Sequence, residues 1–358
     1  MNFNNMNNKL MSKKKPSYKI KKALDKYLSS YNRKIIIPIF YSDLMRFSGS
    51  VSVYDKKDTD TLWVRVFYSD FERKEIDENL KKVYNLLHSD GNENNLNFLN
   101  VDAIDYCTFG NSKPFRIKIR NILNDNFTYF YIKKADASRI YGLELEHVLS
   151  PHNLNFLVFE NTLIEEHITG IPGDEFFENH LQSCTDIERT QIAKEFVKFN
   201  ERSMIRLLGD MRSYNYVIIP THDFDQVVYK IRAIDFDQQC FEGNLQVYRP
   251  QFFEENKVIM DIVKEKLDKN SVNQYKIEER SILAKRILSS SVRVNKLIEC
   301  MMTDCISNKE NIMLLSQQIY SLTRDKNFKG VTKMGQIMQA SFDYILKNYE
   351  NHEMLGID

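Results

Sequence analysis

Asp210, Asn215 and Asp235 are residues whose types and spacing could do chemistry. The first two lie in Arg206-Leu-Leu-Gly-Asp210-Met-Arg-Ser-Tyr-Asn215, which leads into an apolar run at 216–219. Asp235 closes a second β-prone run, 227–234, and is followed by Phe236 and Asp237. The two runs flank a polar turn carrying Pro220, Thr221 and His222, so they read as a hairpin. Such a hairpin would gather two carboxylates and an amide at one edge of a sheet. Oxygen donors of this kind suit Mg²⁺, which proteins hold with one or two carboxylates plus substrate phosphates. Asp and Asn are also ordinary loop residues, so further functional groups are needed from the chain upstream.

Three strands are expected there, at 101–109, 115–123 and 127–134, with turns at Gly110-Asn-Ser112-Lys113 and Asn124-Asp-Asn126. The first turn is either an ordinary hairpin connection or a loop in which Ser112 and backbone amides donate to phosphate. The third strand closes on Lys133-Lys134. Period-2 alternation puts Tyr131 and Lys133 on one face, Ile132 and Lys134 on the other. Only one of the two lysines can serve a site; Lys133 is preferred and Lys134 is its rival. A helix over 137–149, closed by Ser150-Pro151, carries Glu144 and Glu146. Glu144 shares a face with Ile140 and Val148 and is preferred over Glu146 as the acidic partner of the lysine. Strands at 155–160 and 162–168 lead to Glu165-Glu-His-Ile-Thr-Gly170-Ile-Pro-Gly173, whose glycines and proline supply a bend. A helix over 186–204 buries Ile192, Phe196 and Phe199 and delivers the chain to Gly209-Asp210.

The succession of lysine, glutamate, bend, Asp-x4-Asn and Asp235-Phe-Asp237 resembles the protein-kinase-like superfamily. Gly209-Asp210 and Asp235-Phe-Asp237 bring it nearest the aminoglycoside phosphotransferase and choline kinase branch. The likeness covers residues 105–255, and 256–358 only as generic helices. It departs at the 110–113 turn, which has one glycine. The resemblance implies an α+β, two-lobed kinase-like fold. A small antiparallel β-sheet lobe with one helix would span 101–169, and a larger, mostly helical lobe 170–358. An N-terminal α/β extension, 35–100, would precede them as an accessory layer, behind a basic and partly disordered tail, 1–34.

The resemblance further implies ATP and Mg²⁺ as cofactors and transfer of the γ-phosphate to a hydroxyl acceptor, a small molecule rather than a protein. Lys133 or Lys134, braced by Glu144, would bind the α and β phosphates, with Ser112 over them. Backbone at Glu166, His167 and Ile168 would bond adenine. Asn215 and Asp235 would hold the metal, with Asp237 at a second ion or its water. Asp210 would be the catalytic base, and Arg212 would lie near the transferred phosphate. Residues 244–253 fall where relatives place substrate-binding segments. Two other readings use the same residues: a nucleotide-binding pseudokinase or regulatory module, and an adenylyltransferase.

Composition sets the outer bounds. The 358 residues, 42% hydrophobic and 28% charged, suit a soluble globular protein of one large two-lobed unit or two domains. A net charge of +1 gives no bias towards nucleic acid or membrane. Only the basic first segment hints at nucleic acid, and a solvated tail is the preferred reading. Cysteines 107, 184, 240, 300 and 305 show no Cys-x2-Cys spacing, which argues for reduced thiols, a cytoplasmic setting and no zinc site. No leader pattern and no apolar run near ~18 residues is seen, so neither secretion nor a spanning helix is expected. Strands are also expected at 35–41, 51–54 and 61–68, and a turn at 90–95. Ser69-Asp-Phe-Glu72 reads as a capping box opening a helix with Ile76, Leu80, Val83 and Leu87 on one face. Five amphipathic helices follow, at 258–267, 277–288, 292–306, 312–322 and 334–349, and Cys300, Met301, Met302 and Cys305 read as core.

Overall fold

The computed structural model describes residues 14–55, 57–88, 93–224 and 226–349. The chain is α+β and divides into two units. One consists of Ser17–Leu143 with His152–His167; the other is built on the chain from Ile168 onward and includes Glu144–Pro151. Among the described residues no helix is long and apolar enough to cross a membrane.

In the first unit, α1 (Lys22–Ser30) and a single turn, α2 (Tyr41–Leu44), precede β1 (Gly49–Tyr54), β2 (Asp60–Phe67) and α3 (Asp70–His88). Then come β3 (Leu99–Cys107), β4 (Phe115–Asn121), β5 (Phe127–Lys134), α4 (Ala137–Leu149), whose residues from Glu144 onward belong to the other unit, β6 (Phe156–Phe159) and β7 (Thr162–Glu166). The strands form one antiparallel sheet in the order β1-β2-β3-β4-β5-β7-β6. Alternation selects its core face: Val66, Ile104, Phe115, Ile117, Phe130 and Ile132 are buried there. They share one core with Ile76, Leu80, Val83 and Leu87 of α3, the face its helical spacing marks. Ser69 and Glu72 meet at the start of α3, hydroxyl to carboxylate, at 2.7 Å.

Segment 35–100 is not a separate layer. β2 pairs with β3 through Arg65↔Asp105 and its neighbours, and Ile37, Val66 and Leu80 belong to the same core as β4 and β5. An edge strand extends when a β-prone run meets its free N–H and C=O groups, and nothing within 35–100 announces that meeting. Nor is 35–41 a strand. Ile37 and Ile39 are buried and Ile36 is exposed, but Pro38 has no N–H to give to a ladder. The chain lies there as an extended strap, entered by a lone bridge between Lys34 and Val158. Residues 1–13 of the basic tail and residues 90–92 of the expected turn at 90–95 fall outside the described residues.

In the second unit, β8 (Ile171–Pro172), α5 (Gly173–Asn179) and α6 (Asp186–Ile205) lead to a hairpin of β9 (Tyr216–Asp223) and β10 (Gln226–Ala233). The sheet order is β10-β9-β8, all antiparallel. The helices α7 (Lys257–Lys266), α8 (Lys269–Ser289), α9 (Ser291–Thr303), α10 (Lys309–Thr323) and α11 (Met334–Asn348) complete it. α6 is capped reciprocally, Thr185 Oγ1 accepting the Glu188 N–H and Glu188 Oε2 the Thr185 N–H. It buries Ile192, Phe196 and Phe199, and the Phe199 ring lies 5.1 Å from that of Tyr216. Pro220, Thr221 and His222 sit inside β9, opposite Tyr229, Val228 and Val227, so they are paired strand and not the turn expected there. β8 covers only Val217 and Ile218; beyond them that side of β9 is an edge, where a proline is tolerated.

Candidate active site

The loop after α6 is tied down before it reaches Asp210. The Arg206 guanidinium donates to Glu146, and the Gln239 amide donates to the Arg206 carbonyl at 2.5 Å. Burial opposes the charge on Glu146, but Arg206 outweighs it and holds the carboxyl below its ordinary value. Leu208 bridges Gln239, and the Gly209 N–H donates to the Gln238 carbonyl at 3.2 Å. The segments before Asp210 and after Asp237 therefore run side by side. Leu207 (φ 52°), Asp210 (61°) and Cys240 (53°) all adopt the left-handed conformation. That conformation is unfavourable for a residue with a Cβ, least so for Asp and Asn. Strain of this kind concentrates at functional sites.

Asp210 has its N–H on the Val247 carbonyl at 3.0 Å, and its own carbonyl accepts the Asn215 Nδ2 at 2.8 Å. The Asn215 carbonyl accepts the Ile234 N–H at 3.0 Å. The register Tyr216↔Ala233 thus runs one step further, to Asn215 and Ile234, and Asp235 is the next residue at the hairpin's end. Because Asn215 Nδ2 is committed to Asp210, Oδ1 is the atom it has for a cation. Asp235 Oδ1 accepts the Asp237 N–H at 3.1 Å, and Asp237 is buried. Among the described residues no group of three or more His, Cys, Asp and Glu side chains is placed to hold a metal. Two carboxylates and an amide oxygen fit an ion that takes its other ligands from phosphate and water.

Arg212 is buried. Its Nε donates to Asp210 Oδ1 at 2.8 Å and its Nη1 to Glu255 Oε1 at 2.7 Å, with the guanidinium 4.8 Å from the Phe253 ring. Burial disfavours its charge, but Asp210 foremost, with Glu255, more than offsets that and raises its pKa. Sequence reading missed Glu255 and Phe253; their only signal is the position of 244–253 shortly after Asp237.

Lys133 and Lys134 separate as alternation requires: Lys133 is 6% exposed, while Lys134 points to solvent. Lys133 Nζ donates to Glu165 Oε2 at 2.5 Å, and Arg139 Nη1 lies 3.4 Å from Glu165 Oε1. In the register Lys133 faces Leu163 and Tyr131 faces Glu165, so the pair is a diagonal cross-strand contact. The acidic partner given to Lys133 is thus Glu165. Glu144 is bonded by Arg293 Nε at 2.6 Å, and Glu146 by Arg206. Both glutamates are fully buried, and a guanidinium fork matches a desolvated carboxylate better than an ammonium does.

Around the expected bend, the Glu166 N–H is spent on the Asn155 carbonyl. His167 Nδ1 hydrogen-bonds the Tyr131 hydroxyl at 3.2 Å. Burial, with Arg116, lowers the imidazole pKa, and burial pushes the Tyr131 phenol up to about 12. Ile168 is buried and opens the second unit. Ser112 is half-buried in the β3–β4 turn, which the Tyr41 hydroxyl pins through the Lys113 carbonyl at 2.9 Å. Gly170 and Gly173 serve close packing: a Cβ would lie 2.7 Å from Val217 and 2.5 Å from the Tyr216 ring, respectively.

No protein-family model matches this chain, and no curated protein sequence does. The site therefore stands on geometry. In the second unit Asp210 is bonded to Arg212 and Asn215, and Asp235 to Asp237; in the first Lys133 is joined to Glu165 and His167 to Tyr131.

Proposed function

We propose that this chain is an ATP- and Mg²⁺-dependent phosphotransferase of two-lobed, kinase-like architecture, acting on a hydroxyl acceptor. The observation carrying this reading is the continuation of the β9–β10 register to Asn215 and Ile234, the residue before Asp235, with Asp210 bonded to Asn215. Further support comes from the series of three strands with a buried lysine, a helix and two strands that precedes it. Mg²⁺ on Asp235 and Asn215 would neutralise charge on the transferred phosphoryl group. Asp210, steadied by Arg212, orients the acceptor hydroxyl and takes its proton. Lys133 binds nucleotide phosphate with Glu165 as its counter-charge, and backbone at His167 and Ile168 meets the base. The acceptor is a small molecule, by likeness to the aminoglycoside phosphotransferase and choline kinase branch. Free thiols at all five cysteines fit the cytoplasmic setting that belongs to this proposal.

One observation favours a second reading, nucleotide binding without turnover: Lys133 is buried and already held by Glu165. Thermal unfolding with ATP or ADP, with and without Mg²⁺, tests the nucleotide site. A ligand at ~100 times its Kd stabilises by about 2.7 kcal/mol. A shift that needs Mg²⁺ and vanishes in Asp235→Ala supports the site; no shift under any condition sinks both readings. Mass spectra of hydroxyl acceptors then separate phosphate transfer from AMP transfer and from binding alone.

A further inference from the structure

The seven-stranded sheet of the first unit ends in β6 on one side and β1 on the other. At β6 the chain itself closes the edge: the Val158 N–H donates to the Arg33 carbonyl at 2.7 Å, and Lys34 bridges Val158. At the other edge β1 pairs with β2 and, among the described residues, with no further strand. An unpaired edge offers a row of backbone N–H and C=O groups to another strand, and proteins blunt such edges with charge or proline. β1 reads Gly49-Ser-Val-Ser-Val-Tyr54 and has neither.

Its side chains are equally unclaimed. A strand packed on a core buries one face, but β1 buries none: Val53 is half-buried and the other five residues are exposed. The core of this unit contains Val66 of β2 and no residue of β1. The register sets Val51 and Val53 opposite Arg65 and Trp63, on the face where Gly49 meets Phe67. Val51 is 60% exposed and Phe67 45%, and Gly49 has no side chain to cover that ring. β1 is thus a β-prone strand held by one neighbour, with its apolar side chains left open.

We propose that β1 pairs antiparallel with β1 of a second copy of this chain, about a two-fold axis through Ser52. Opposite residues of an antiparallel pair share a face, so the axis must pass through a residue and not between two. Through Ser52 it sets Ser52 against Ser52, Ser50 against Tyr54 and Val51 against Val53, so that every valine meets a valine. Through Val51 it would leave Val53 against Gly49. The Ser52 axis also carries exposed Arg46, which reaches Asp43 at 3.4 Å in its own chain, towards the 55–60 connection of the other copy. There three aspartates outnumber two lysines. Such a contact is isologous and closes on itself. Main-chain hydrogen bonds supply its affinity, and the alternate side chains set its register. It is independent of phosphotransfer.

The test is sedimentation velocity of the full chain over a concentration series, joined to disulfide trapping. The unaltered protein should reach twice the mass of one chain. Val51→Lys, at an exposed position, should keep the circular dichroism spectrum and lose the dimer. Opposite Cα atoms of an antiparallel pair lie about 4.5–5.5 Å apart, within the reach of a disulfide. Ser52→Cys should therefore give a covalent dimer on mild oxidation, joined through position 52 in peptide maps. Gly49→Cys, whose two copies would lie about 20 Å apart, should not. The unaltered protein, oxidised alongside, gives the background of its own thiols. A single-chain mass at every concentration would leave β1 to another protein's strand and overturn the proposal. So would a dimer that survives Val51→Lys, or one that is linked at position 49 in preference to 52.

Discussion

Lys133 is 6% exposed, and an ammonium taken out of water at that depth costs several kcal/mol unless a counter-charge meets it. Glu165 does so at 2.5 Å, and Arg139 shares the same carboxylate. Glu165→Gln takes from Lys133 the carboxylate it donates to and should lower the unfolding free energy by about 3–5 kcal/mol, measured by urea denaturation. A loss under about 1 kcal/mol would mean that the pair is solvent-screened. At the other end of the proposed chemistry, Asp210→Asn keeps the backbone bonds to Val247 and Asn215 but removes the anion. Transfer should fall by at least about 10²-fold while ATP-dependent stabilisation persists. Retained turnover would remove Asp210 as the base.

At the scale of elements, the hairpin does the assembling. β9 and β10 pair from Tyr216↔Ala233 to Asp223↔Gln226, and the ladder's extension to Asn215 and Ile234 fixes the residue before Asp235. The packing beneath it leaves no slack at Gly173, where a Cβ would lie 2.6 Å from the Ser213 carbonyl as well as against the Tyr216 ring. Since the Ser213 carbonyl belongs to the backbone, Gly173→Ala should cost about 1–3 kcal/mol through overpacking. Gly49, at the start of β1, has nothing within 4 Å of an added Cβ, so Gly49→Ala should stay within about 0.5 kcal/mol. Thermal midpoints of the two variants check the contrast; equal shifts would mean that the α5–β9 contact is loose.

For the molecule as a whole, acid sensitivity follows from one imidazole in the first unit. Burial, with Arg116, pushes His167 below the ordinary value of 6.5. The unfolded chain then binds its proton first, so its contribution to stability is complete above that value and is lost as pH falls towards the folded value. Stability should decline as pH drops from about 6.5 towards 5, and His167→Gln should flatten that slope in denaturation series. An unchanged slope would show the ring to be solvated. Sequence alone determined the elements whose signals are local: the helix over 137–149, the alternation through β4 and β5 that buries Lys133, the helix before Gly209, and the hairpin. Periodicity reports which face of a segment is buried, and a ladder between neighbouring runs links Asn215 to Ile234, the residue before Asp235. Only the tertiary structure decided the rest: the joining of β2 to β3, Glu165 for Lys133, Arg293 for Glu144, Glu255 for Arg212, and the exposure of Cys305, which its sequence grouped with the core. A desolvated charge is satisfied by whichever counter-charge packing brings within reach, and no local pattern in the chain encodes that choice.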